Sequence, residues 1–170
     1  MNFTELIKNR YSVRKFDGRQ ISDGCVDEIL AAGHLAPTAC NYQPQKIFVL
    51  RSPEALEKLK DCTKCHFDAP CAMLVCYDEA LCWTRKYDGK TSGDIDASIV
   101  TTHMMLKAAE LGVGTTWVMH FNPEKIRAAF DIPSGINPTA LLVMGYPAAD
   151  AEPLDLHSKF RSEEEIVKYI

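Results

Sequence analysis

Apolar positions along the 170-residue chain alternate between two periods. A spacing of three and four marks a helix face, and short continuous apolar runs mark buried strands. Phe3, Leu6 and Ile7 have helical spacing and predict a short helix that stops near Asn9. Ser22 is a good N-cap for the next helix, whose apolar face includes Val26, Ile29 and Leu30 and which ends before Pro37. A polar loop, Thr38 to Gln45, leads into a short strand from Ile47 to Leu50. Ser52-Pro53 joins an N-cap to a proline at the first helical position, and the helix through Leu56 and Leu59 ends near Asp61. Ala72 to Tyr77 reads as a buried strand, and residues 84–93 as an exposed excursion. Asp94 to Leu111 is the longest predicted helix, with Ile95, Ile99 and Leu106 on one side and Gly112 and Gly114 ending it. Thr115 to Met119 is the next strand, Asn122-Pro123 starts a helix that ends before Pro133, and Thr139 to Met144 is the last clear strand. Ser162 caps a final helix through Ile166 and Val167.

Four strands separated mostly by helices give an α/β or α+β class. No repeat, low-complexity tract or linker divides the chain, so residues 1–170 are expected to form one domain. The stretch from Ala148 to Ile170 is extended and largely polar. Ordering a tail of this length costs entropy, so it is expected to lie against something, a partner subunit being one candidate.

Composition narrows the function. With 46% apolar and 25% charged residues the chain is not of the disordered class. Its 23 acids outnumber 19 bases, which disfavours nucleic-acid binding driven by net charge. No apolar stretch approaches the ~18–20 residues of a membrane span. The opening residues lack the apolar core of a signal peptide, and a cytoplasmic location is expected. Seven cysteines, an odd number, do not suit a disulfide framework. Cys25, Cys40, Cys76 and Cys82 sit among apolar neighbours and read as reduced, mostly buried thiols.

Four constellations could carry chemistry. Between Lys8 and Arg19 stand five cations (Lys8, Arg10, Arg14, Lys15, Arg19) and one acid, Asp17. In an acidic protein this local excess suits an anion such as phosphate, with Ser12 as a further donor; the plainer reading is a solvated surface. Lys159 and Arg161 add a small basic group in the tail. The loop Pro37 to Pro44 offers Asn41 and Gln43, whose amides match the edge of a planar heterocycle, or else forms an ordinary polar turn. Gly112 to Val118 reads as a helix end followed by a core strand, and neither a dinucleotide fingerprint nor a phosphate-binding P-loop is present. Cys62, Cys65 and His66 match a haem-attachment pattern and, with Cys71, a conceivable zinc set, although all four come from one short stretch; a dithiol is a third option. Asp94 and Asp96 are explained by helix N-terminal electrostatics.

Taken in order, these segments resemble the FMN-dependent nitroreductase family. Arg10 to Phe16 resembles the family's R-R-S-x-R-x-F. Ala36-Pro37-Thr38 with Asn41 to Pro44 resembles A-P-S-x-x-N-x-Q-P, and Asp96 through Trp117 resembles the family's long helix ending in L-G-x-G-T-x-W. Gly145-Tyr146-Pro147 and Lys159-Phe160-Arg161 complete a resemblance covering nearly the whole chain.

The resemblance implies an α+β, three-layer fold with a central mixed β-sheet flanked by helices, in an intertwined homodimer whose 148–170 arms wrap the partner. Two FMN sites would lie at the dimer interface. Arg10, Tyr11, Ser12 and Arg14, helped by Lys159 and Arg161, would hold the phosphate and ribityl chain. Pro37, Thr38, Asn41 and Gln43 would reach the flavin from the other subunit, and Trp117, Val118, Met119 and His120 would line its ring. The implied activity is ping-pong hydride transfer from NAD(P)H through flavin N5 to nitroaromatic, quinone or similar acceptors. No catalytic acid or base and no metal are expected, because the flavin carries the chemistry. Tyr11 stands where a second arginine is common, and Gln45 where an aromatic is frequent. Trp83, Arg85 and Tyr87 lie in the short excursion and could cap the pocket. The alternatives are a flavin store or sensor without turnover, and a zinc or thiol-redox module built on the Cys62–Cys71 stretch.

Overall fold

The computed structural model describes residues 2–170. Along them run α1 (Phe3–Asn9), α2 (Asp23–His34), β1 (Gln45–Leu50), α3 (Pro53–Cys62), β2 (Cys71–Asp78), α4 (Gly93–Glu110), β3 (Gly114–Val118), α5 (Pro123–Phe130), β4 (Ile136–Gly145) and a single turn, α6 (Glu163–Ile166). Three helix starts follow from local chemistry, since the first N–H groups of a helix lack intrahelical partners. Ser22 accepts from the Cys25 N–H, Ser52 from Ala55 and Asn122 from Lys125, and the last two precede a proline. No helix among the described residues is long and apolar enough to cross a membrane.

The strands lie in the order β1-β2-β4-β3, every neighbouring pair antiparallel. This corrects the expectation of a mixed sheet: the parallel component is an isolated bridge between Ser12 and Thr115. The connections are the reason. After α3, residues 63–70 return the chain to the end it left, so the start of β2 pairs Ala72 with Leu50 at the end of β1. The link through α5 does the same for β4, which pairs Leu141 with Val118.

The central strands are covered on both faces. Cys71, Met73 and Val75 of β2 pack with Val26 and Ile29 of α2 and with Val100 and Met104 of α4. The alternate residues, Ala72, Leu74 and Cys76, pack with Leu59 of α3 and Ile126 of α5. This is the three-layer α+β arrangement.

The buried face of α4 only partly matches the expected side, on which Ile99 alone packs against the core. Ala97, Val100, Thr101, Met104 and Ala108 are buried, whereas Ile95 is 51% exposed and Leu106 half-buried. Small residues decide this, because they let α2 come close. A Cβ on Gly33 would stand 2.8 Å from Met104 Cγ. Cys40 is exposed rather than buried. The tail ends in the short α6, and Leu156, Phe160, Ile166 and Tyr169 along it are exposed.

β3 is an edge strand, and Val13 packs directly on its first residue. A Cβ on Gly114 would meet Val13 Cγ2 at 2.6 Å and Val13 Cβ at 2.9 Å. Val13 is 2% exposed and β-branched, so it has little room to move. Gly114→Ala is expected to cost about 1–3 kcal/mol, the scale of overpacking a core. Thermal denaturation of the variant against wild type checks it.

Candidate functional site

The basic segment crosses between two backbones. On one side the Val13 N–H donates to the Thr115 carbonyl at 3.0 Å and the Thr116 hydroxyl donates to the Val13 carbonyl. On the other, the Asp17 N–H donates to the Tyr146 carbonyl and the Ala148 N–H to the Lys15 carbonyl. Held on both flanks, Arg10, Tyr11, Ser12 and Arg14 line a cleft of about 690 Å³. The facing wall is the tail, through Leu154, Leu156, His157, Ser158 and Phe160. Tyr11 fastens that wall: its hydroxyl donates to the Ala151 carbonyl at 3.1 Å, and its ring meets His157 edge-on with centroids 6.3 Å apart. Of these wall residues the sequence had marked only Phe160, between Lys159 and Arg161; the apolar Leu154 and Leu156 in a polar tail were the available signal for the rest.

Charge pairing in this segment is uneven. Lys15 pairs with Asp150 at 2.7 Å, and Arg19 with Asp17 at 2.6 Å. The Asp150 carboxylate holds the Lys15 ammonium above its ordinary pKa, chiefly through their hydrogen bond, and Asp150 is lowered in return. Lys8, Arg10 and Arg14, which line the cleft, form no ion pair among the described residues, nor do Lys159 and Arg161. Arg14 Nη1 donates to the Ser12 carbonyl at 3.0 Å. Within the segment from Lys8 to Arg19, the cations left without acids are the three that line the cleft. Guanidinium and hydroxyl donors of this kind suit a phosphate, so the residues present fit the FMN phosphate that the resemblance implies.

The end of β3 divides its residues. Trp117 packs against the α2/α4 core and Val118 is buried on the opposite face, so these two side chains serve the fold. Met119 and His120 are exposed, and the Thr63 hydroxyl donates to the His120 carbonyl at 2.5 Å.

The loop from Pro37 to Gln43 lies elsewhere, ahead of β1 and thus at the sheet edge opposite β3. Cys40, Asn41 and Gln43 adopt φ values of 51°, 56° and 51°, a left-handed conformation that non-glycine residues seldom take. Thr38 Oγ1 accepts from the Gln43 N–H at 3.0 Å, and Gln43 Nε2 donates to Asn41 Oδ1 at 3.1 Å. The loop is tied to α4 by Asp96, which accepts from the Ala39 N–H at 2.9 Å and from the Ser92 hydroxyl at 2.7 Å. Asp96 is 2% exposed, so it is more than a solvated helix-terminal charge. One chain thus brings the basic segment, the tail and the end of β3 to one edge, and holds the loop at the other.

The cysteine stretch does not assemble a ligand set. Cys62 belongs to the α3/α5 face of the sheet and Cys71 to the α2/α4 face. Among the described residues no three His, Cys, Asp or Glu side chains are grouped to hold a metal ion. Burial pushes the Cys71 thiol up to about 11 and the Cys76 thiol up to about 12.

Comparison with known proteins places this geometry. The family model described as "Nitroreductase family" matches residues 7–75 and 66–146. A Methanothermobacter thermautotrophicus protein named "Putative NADH dehydrogenase/NAD(P)H nitroreductase" is 33% identical over 92% of this chain and 83% of its own length. The crystal structure of a nitroreductase family protein from Clostridium difficile 630 is 43% identical, with a TM-score of 0.94 over 99% of this chain and 98% of that one. An "FMN-dependent Nitroreductase" from Clostridium difficile R20291 shares the fold, with a TM-score of 0.79 at 23% identity and 98% of each chain covered.

Thiol chemistry offers a direct check on burial and on the raised pKa values. Thiolate is the reactive form, and it is scarce at pH 8 for groups near 11 and 12. Iodoacetamide at pH 8 is expected to label Cys40 first and to spare Cys71 and Cys76 until the protein is unfolded. Peptide mass spectrometry over a time course reads this out.

Proposed function

The chain belongs to the nitroreductase family, and on that premise we propose that it is an FMN-dependent oxidoreductase passing hydride from NAD(P)H to small nitroaromatic, quinone or similar acceptors. The observation that carries the cofactor assignment is the cleft whose cations lack acid partners. Bound FMN would supply the redox chemistry, taking hydride from NAD(P)H and giving it to an acceptor that uses the same place in turn.

The chain's own work is binding and orientation. Arg10, Ser12 and Arg14 supply donors for the phosphate and ribityl chain, and Lys159 and Arg161 add positive charge from the tail. Leu156 and Phe160 give the facing wall of the cleft its apolar surface. Met119 and His120 present the end of β3 to the ring, while Trp117 and Val118 hold that strand end in place. Pro37, Thr38, Asn41 and Gln43 complete the site from a second copy of the chain. Their position at the opposite sheet edge and the exposed apolar residues of the tail both support a homodimer. No side chain is assigned as a catalytic acid or base.

Purified protein is expected to show a flavin spectrum with about one FMN per chain, and to oxidise NAD(P)H when menadione or a nitroaromatic is added. Bound FMN without NAD(P)H oxidation would favour a storage or sensing role instead. Arg14→Ala is expected to weaken FMN binding by about 1–3 kcal/mol, the scale of a charge-assisted hydrogen bond, read by fluorescence titration. Truncation after Pro153 removes the apolar tail and is expected to yield monomer in sedimentation. A full-strength dimer that retains FMN would refute the wrapping arm.

A further inference from the structure

We propose that Asp96 is a positioning residue for the Pro37–Gln43 loop, acting through its hydrogen bonds to the Ala39 N–H and the Ser92 hydroxyl, and that it sets how Thr38, Asn41 and Gln43 meet the flavin held mainly by a second copy. The inference rests on the proposed FMN function and concerns residues at the start of α4 that do not line the cleft.

The loop has two unusual demands. Three of its non-glycine residues, Cys40, Asn41 and Gln43, are left-handed, which costs free energy and persists only where surroundings impose it. The 3₁₀ turn Ala39–Asn41 also lacks a cap of its own, since Thr38 makes no side-chain bond to it. The Thr38 hydroxyl is instead taken by the Gln43 N–H. Asp96, 57 residues away, supplies the acceptor for the Ala39 N–H at the start of that turn.

The carboxylate is costly where it stands. A buried carboxylate is tolerated only when hydrogen-bonded, and a helix start can be served by exposed acids. Asp94 is such an exposed acid in the same turn, and it accepts from the Thr139 hydroxyl. Asp96 is buried with its acceptors directed at the loop and at Ser92. The Ser92 N–H also donates to the Trp83 carbonyl, so the base of the exposed excursion is fastened at the same point. This arrangement holds a binding loop rigid before ligand arrives, which reduces the entropy lost on binding.

The test uses the dimer. FMN dissociation constants are measured for wild type, Asp96→Ala, Asp96→Asn and Ser92→Ala, with far-UV circular dichroism and thermal midpoints of each. Asp96→Ala is expected to weaken FMN binding at least tenfold, and Asp96→Asn and Ser92→Ala by less, with secondary structure retained. Asp96→Ala and Arg14→Ala chains carrying different tags are then co-expressed and the mixed dimer isolated. One of its two sites combines an intact Arg14 with an intact loop, so half of the sites are expected to regain wild-type affinity. A fold defect in the Asp96→Ala chain would not be repaired by pairing. Wild-type affinity in Asp96→Ala, or a mixed dimer with no restored site, overturns the proposal. If Asp96→Ala does not fold, the same pairing with Ser92→Ala decides it. A wild-type protein that takes up no FMN overturns the function itself, which is a separate outcome.

Discussion

Val13 reaches the backbone of β3 only because Gly114 has no side chain, and the arrangement of the cleft follows from that approach. With Val13 seated, residues 10–17 run along the sheet edge and bond to Thr115 and Thr116 on one flank and to residues 146–148 on the other. The course of that backbone sets which of its cations have acids within reach. Lys15 and Arg19 find carboxylates within reach, and Arg10 and Arg14 are left facing the cleft. A backbone packing constraint thereby becomes an electrostatic one.

The two parts of the candidate site use different means to the same end. The cleft relies on a paired backbone, which is rigid because its hydrogen bonds are shared with the sheet. The loop before β1 has no such ladder and carries unfavourable left-handed residues. A buried carboxylate, internal side-chain bonds and the adjacent proline residues hold it instead. Both fix side chains in advance of ligand, and both place that cost on folding rather than on binding.

Local chemistry was legible in the sequence wherever one residue's neighbours determined the outcome. Ser22, Ser52 and Asn122 announced helix starts because a cap needs only the next three residues. The four strands were visible as short apolar runs, most plainly in β2 and β4, which are covered on both faces. What could not be read depended on partners distant in sequence. The buried stripe of α4 is chosen by Gly33 and the close approach of α2, not by the most apolar residues of α4 itself. The sheet is antiparallel because of where the connecting segments turn, which no strand encodes. Among candidate site residues, charge imbalance drew attention to the cations from Arg10 to Arg14, which line the cleft. The fastening role of Tyr11 and the burial of Asp96 lay in contacts spanning 140 and 57 residues. Cys40 misled because apolar neighbours in sequence were not its neighbours in space.

The crossing segment also sets an order of events during synthesis. Residues 10–17 are made long before residues 146–148, to which they bond, and before β3, on which they lie. β3 itself gains its only named strand neighbour when β4 emerges. The early basic stretch therefore spends most of translation without its final partners, while α2 and the first strands are already available. At translation speeds of roughly 5–20 residues per second this wait lasts seconds, far longer than a helix or hairpin needs to form. The cleft is thus among the last features the chain acquires, closed by contacts between an early and a late segment.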